Sequence, residues 1–125
     1  MTPKTVFVTG ALIMAATVAI GAFGAHGLQN HTDAKGLATW ETGVKYQAMH
    51  GLGLLLLAAL YDRVAPTGAL LAYLGMLCGV LIFSGTLYAL VLTGIKWLGA
   101  ITPIGGVLLI ASWVILAFSY KKASM

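Results

Sequence analysis

Six side chains in this sequence carry groups able to bind a solute, relay a proton or attack a carbonyl: His26, Gln47, His50, Ser84, Tyr88 and Thr102. The two imidazoles titrate nearest neutrality and are the natural base or proton carrier, and Ser84 is the one candidate nucleophile. Tyr46 and Gln47 stand four and three residues before His50, which sets all three on one helix surface. What is missing matters as much. Base catalysis by histidine needs a nucleophile or metal and an orienting group within hydrogen-bond reach. The three acidic residues, Asp33, Glu41 and Asp62, all lie outside the long apolar runs, where a proton-coupled exchanger would keep a carboxylate inside them. His26, His31 and His50 have no carboxylate support at ligand spacing and form only a weak metal signal. The sequence therefore predicts no catalytic residue, no metal and no cofactor.

Composition decides what must hold these groups. Of 125 residues, 60% are hydrophobic and 8% charged, where a soluble domain carries roughly 25% charge. A soluble chain this small must cover a proportionately large surface with polar groups, and seven basic plus three acidic side chains cannot do so. The bilayer is the solvent that fits, and one all-α membrane domain is expected over 1–125. The net charge of +4 and pI of about 9.4 do not indicate nucleic acid, because the cations are scattered between apolar runs and form no patch. They read as anchors to membrane lipids, the expected partners.

A helix crossing roughly 30 Å of hydrocarbon needs about 20 apolar residues, and the uncharged runs predict four spans, about 6–25, 44–61, 67–94 and 98–120, in a four-helix bundle with short loops. A secretory signal is the competing reading of the first run, since Ala22-Phe23-Gly24 follows a basic start. Residues 33–43 are polar, yet Leu37, Trp40 and Val44 share one stripe, which predicts a short interfacial helix between the first two spans. Asp62 to Pro66 has the composition of a tight reversal. Lys96-Trp97 and Lys121-Lys122 mark further interfaces, and Pro103 predicts a bend near the start of the last span. Lys4, Arg63, Lys121 and Lys122 fall on the side of the termini, against Lys35, Lys45 and Lys96 on the other, a small excess that points to cytoplasmic termini in a bacterial inner membrane.

Antiparallel spans bring the end of the first, the start of the second, the end of the third and the start of the fourth to one membrane face. The six polar residues are accordingly expected in one leaflet, opposite a half built of Leu, Ala, Val and Ile. Polar groups in hydrocarbon must face one another or a wet cavity. The cluster is then either interhelical hydrogen bonding or a pocket for a solute, a lipid headgroup or a proton. Gly21, Gly24 and Ala25, Gly75 with Gly79, and Gly105 with Gly106 are small residues that let helices approach closely, within the subunit or between subunits of a homo-oligomer. Cys78, alone in an apolar run, reads as a small packing residue.

Several stretches together resemble one family. They are Gly21-Ala22-Phe23-Gly24-Ala25-His26-Gly27, Trp40 with Tyr46-Gln47 and His50, Phe83-Ser84-Gly85 with Leu87-Tyr88, and Leu98-Gly99-Ala100-Ile101-Thr102-Pro103-Ile104-Gly105-Gly106. The chain is similar over essentially its whole length to the small inner-membrane proteins known as domain of unknown function 423, which have animal relatives described simply as transmembrane proteins. The resemblance implies architecture and location but no reaction or substrate. The expected function is a non-enzymatic structural or accessory role in the membrane. The alternative is an oligomeric transporter or channel, or a lipid- or solute-binding protein using a His-lined pocket.

Overall fold

The computed structural model describes residues 1–121; Lys122, one of the two lysines expected to end the last span, lies outside the described residues. Four helices follow in order: α1 (Pro3–His26), α2 (Ala34–Ala59), α3 (Pro66–Thr93) and α4 (Thr102–Ser119), with 3-10 turns at Tyr61–Arg63 and Lys96–Ala100. Local chemistry sets their ends. Pro3 and Pro66 occupy first turns, where a missing N–H leaves no intrahelical bond unmade. The side chains of Thr2 and Asp33 cap α1 and α2, accepting from Thr5 N–H at 3.3 Å and Gly36 N–H at 2.8 Å. Gly94 ends α3 at φ +72°, the left-handed conformation that glycine adopts freely, and its N–H donates to Leu90 C=O.

The helices pack as neighbours in chain order, α1 on α2, α2 on α3 and α3 on α4, with α2 and α3 central. Met1, the Tyr61–Arg63 turn and the end of α4 meet at one end of the molecule. There Tyr61 donates to Met1 C=O at 2.9 Å, Arg63 donates to the Tyr120 hydroxyl at 2.8 Å, and Val64 pairs with Tyr120 in an isolated antiparallel bridge. The apolar core, Val6, Leu54, Leu57, Val64, Ala69, Ala72 and Met76, fills that half. The outside is oil: Phe118 is 88%, Val18 70% and Leu12 65% exposed, a surface that water would not tolerate over such an area. Helix α1, helix α3 and the stretch Lys96–Ser119 are long and apolar enough to cross a membrane. At 26 residues α2 is long enough, roughly 39 Å at 1.5 Å per residue, but its first half is too polar to qualify on composition.

Four expectations are corrected. The separate interfacial helix at 33–43 does not form, because the chain runs from Ala34 to Ala59 as one helix. Trp40, placed by its type in the headgroup zone, is 5% exposed and wedged against α1, where its indole N–H donates to Ile20 C=O at 3.0 Å. The bend expected at Pro103 is absent for a simple reason: α4 begins at Thr102, so the proline sits in a first turn and breaks no bond. Cys78 is exposed on α3 and not a packing residue.

Candidate functional site

The early start of α2 resets the depth of everything on it. Gln47 donates through Nε2 to Ile13 C=O at 3.3 Å, and Ile13 lies thirteen residues before His26, roughly 20 Å down α1. His26, exposed in the last turn of α1, is thus far from Gln47 and His50 and does not join them. The other five form three separate links, where one cluster was expected.

The first link joins α2 to α3 and reaches α1. Tyr88 donates its hydroxyl to Gln47 Oε1 at 2.7 Å, and Ser84 donates to Gly43 C=O at 2.7 Å. Ser84 is 1% exposed and its hydroxyl is engaged with a backbone carbonyl, an arrangement without a base beside it and unsuited to a nucleophile. The tyrosine ring closes over Gly43, where an added Cβ would stand 2.7 Å from Tyr88 Cε1. The ring also meets Trp40 at 4.6 Å between centroids, and Trp40 meets Phe23 at 5.6 Å. The second link joins α2 to α4: Trp113 Nε1 donates to His50 Nε2 at 2.9 Å, while His50 Nδ1 lies 2.7 Å from Tyr46 C=O. The third joins α3 to α4 through the Thr86 and Thr102 hydroxyls, 2.7 Å apart.

Sequence reasoning missed Trp113, Thr86 and Tyr73, whose hydroxyl lies 2.9 Å from that of Thr9. A signal existed for Trp113. An indole nitrogen can only donate, and one placed in the middle of an apolar run must find an acceptor on a neighbouring helix.

The small residues are used within the chain. Gly24 and Gly21 lie against Trp40 and Val44 of α2, and Gly75 and Gly79 against Ser112 and Leu109 of α4. Gly105 lies against the backbone of Phe83 and Gly106 beside its ring. Ala25 is exposed and borders a shallow cleft between α1 and α2.

Beside the first link an open groove of about 450 Å³ runs between α1 and α3, walled by Leu12, Ile13, Ile20, Leu77, Val80 and Leu81, with Gln47 and Tyr88 at its floor. Among the described residues no three His, Cys, Asp or Glu side chains gather where they could hold a metal ion. Every buried side-chain nitrogen and oxygen among the described residues has a hydrogen-bond partner. Because the Gln47 and Tyr88 groups meet across helices, their pairing is measurable. Replacing Tyr88→Phe and Gln47→Leu singly and together should give a coupling of about 0.6 to 1.7 kcal/mol in a double-mutant cycle read by unfolding in mixed detergent.

Four packed helices, an oily exterior and an internally satisfied polar seam define a small helical membrane protein. The family described as "Protein of unknown function (DUF423)" matches residues 20–106. The UPF0382 membrane protein YwdK of Bacillus subtilis is 42% identical over 120 residues, covering 95% of this chain and 98% of that relative. UPF0382 membrane proteins of Staphylococcus haemolyticus and Staphylococcus saprophyticus are 44% and 45% identical over 119 residues, covering 95% of this chain and 97% and 98% of theirs. The chain belongs to the DUF423 family. No solved structure matches it.

Proposed function

We propose that this protein is a non-enzymatic structural or accessory component of the bacterial inner membrane, crossing it four times with both termini in the cytoplasm. Its polar seam fastens helices together and does not handle a substrate. The observation that carries this reading is the satisfaction of the seam: Gln47, His50, Ser84, Tyr88 and Thr102 all direct their hydrogen bonds at their own chain. A site that binds a solute keeps convergent polar groups facing a cavity. A transporter needs a wet path, and the groove beside Gln47 is walled by leucine, isoleucine and valine. The polar start of α2 is compatible with crossing because Trp40, Gly43, Gln47 and His50 are buried against other helices, while the exposed Lys35, Glu41 and Lys45 lie toward the end of a helix longer than the hydrocarbon is thick, where long charged side chains reach the headgroups.

The test is the double variant Gln47→Leu with Tyr88→Phe. Removing both partners of a hydrogen bond is nearly neutral, so the variant should accumulate in membranes and unfold within about 1 kcal/mol of the parent. Native mass spectrometry of both proteins in nanodiscs should show the same bound species. A small solute carried by the parent and absent from an equally stable variant would overturn the reading.

A further inference from the structure

At the end of the molecule away from the termini, a cavity of about 480 Å³ opens between the start of α2 and the end of α3. Its walls mix two chemistries. Lys35 comes from the first turn of α2 and Lys96 from the turn between α3 and α4, joined by Thr32 and Thr39, while Leu90 and Val91 form an apolar wall about one helical turn below Gly94. Asp33 also borders the cavity, but its carboxylate accepts from Gly36 N–H as the cap of α2. Two lysines therefore border the opening, against one carboxylate that is already engaged. The polar end is unobstructed at Gly94, where even an added Cβ would meet nothing within 4 Å.

We propose that this cavity binds the headgroup of an anionic phospholipid, its phosphodiester between Lys35 and Lys96 and its acyl chains leaving along Leu90 and Val91. Position selects a lipid over a free anion. Helix α3 ends at Thr93, and the exposed Ile95 and Trp97 follow; an exposed tryptophan beside a lysine is the composition of the headgroup level. A site with cations above and aliphatic side chains one turn below matches the polarity gradient of a lipid and not that of a phosphate ion. The ligand also has a structural consequence. Lys35 belongs to the α1–α2 hairpin and Lys96 to the α3–α4 hairpin, and packing between the hairpins is thinner than packing within them. One bridging lipid would clasp the two halves.

This inference rests on the membrane-crossing reading above, so the experiment separates the two. Protein reconstituted in phosphatidylcholine nanodiscs is titrated with phosphatidylglycerol, and retained lipid is counted by native mass spectrometry. The double variant Lys35→Gln with Lys96→Gln is compared with Lys4→Gln with Lys121→Gln, which removes the same charge at the opposite end. Two lysines near a membrane surface correspond to roughly ten- to thirtyfold in affinity. The expected result is a phosphatidylglycerol preference that falls by about that factor in the first variant and persists in the second, with a melting point raised by phosphatidylglycerol only where the preference survives. Equal loss in both variants, or no loss in either, overturns the site. Displacement of the lipid by millimolar inorganic phosphate would overturn the choice of a lipid as ligand. A chain released from membranes by alkaline carbonate would instead sink the membrane-crossing reading, whatever the lipid counts.

Discussion

Replacing Gly105→Ala should cost about 3 kcal/mol or more of stability, and Gly105→Leu should prevent accumulation altogether. A Cβ at this position would stand 2.5 Å from Phe83 N, 2.8 Å from Gly79 C=O and 3.0 Å from Phe83 Cα. All three are backbone atoms of α3, so relief cannot come from a side chain turning aside; the helices themselves must separate. Inserting volume into a tight interface costs typically 1–3 kcal/mol, more when nothing can yield. Neighbouring glycines give an internal scale. At Gly79 the added carbon would meet Leu109 Cδ2 at 2.6 Å and Gly105 C=O at 3.1 Å, and a leucine end can shift, so Gly79→Ala should cost less, about 1–2 kcal/mol. Gly106→Ala would touch the Phe83 ring at 3.7 Å, an ordinary contact, and Gly85→Ala would meet nothing. These two should be neutral or stabilising by up to about 1 kcal/mol, because alanine orders a helix more readily than glycine. Thermal unfolding in one detergent ranks all four. Equal melting of Gly105→Ala and Gly85→Ala would show that α3 and α4 do not approach at this point.

The membrane class and three of the helices could be read from composition, because a run such as 67–94 contains no charge at all and has no other solvent. The start of α2 was hidden by the same criterion. Lys35 and Glu41 made residues 33–43 look like a separate surface element, yet both, like Lys45 beyond them, are exposed on one continuous helix. Periodicity carried the missing information. Trp40, Gly43, Gln47, His50, Leu54 and Leu57 are buried, alternating steps of three and four that cross the presumed boundary without interruption. Counting charge asks how polar a segment is; the stripe asks which side faces the protein. From the misplaced boundary came the misplaced depth, which grouped His26 with Gln47 and His50 and scattered what was expected to be one cluster into three links. The partners of those links were less accessible still. That Tyr88 meets Gln47 and Trp113 meets His50 depends on how α2, α3 and α4 are rotated about their axes, and rotation is set by close approaches such as Gly43 against Tyr88 and Gly53 against Trp113.

The α2–α4 link supplies the second large effect. His50 is 2% exposed, and removing its ring by His50→Ala should cost about 2–4 kcal/mol, from a cavity together with an indole N–H left without its acceptor. His50→Leu restores most of the volume and isolates the hydrogen bond, so its cost should fall to about 1–2 kcal/mol. Combining His50→Leu with Trp113→Phe removes both partners and should recover part of that loss. The geometry also fixes the state of the ring. Tyr46 C=O can only accept, so His50 Nδ1 carries the hydrogen; the Trp113 indole can only donate, so Nε2 presents its lone pair. Nitrogen-15 NMR in bilayers should therefore report a neutral, Nδ1-protonated histidine, and Trp113→Phe should free Nε2 and shift its resonance while leaving Nδ1 bound to Tyr46. A histidine serving as a proton carrier would have to release Trp113 in each cycle, unfastening α2 from α4 at this point. An Nε2-protonated or charged ring in the resting protein, or a His50→Ala variant as stable as the parent, would remove the fastening role and return His50 to candidacy as a functional base.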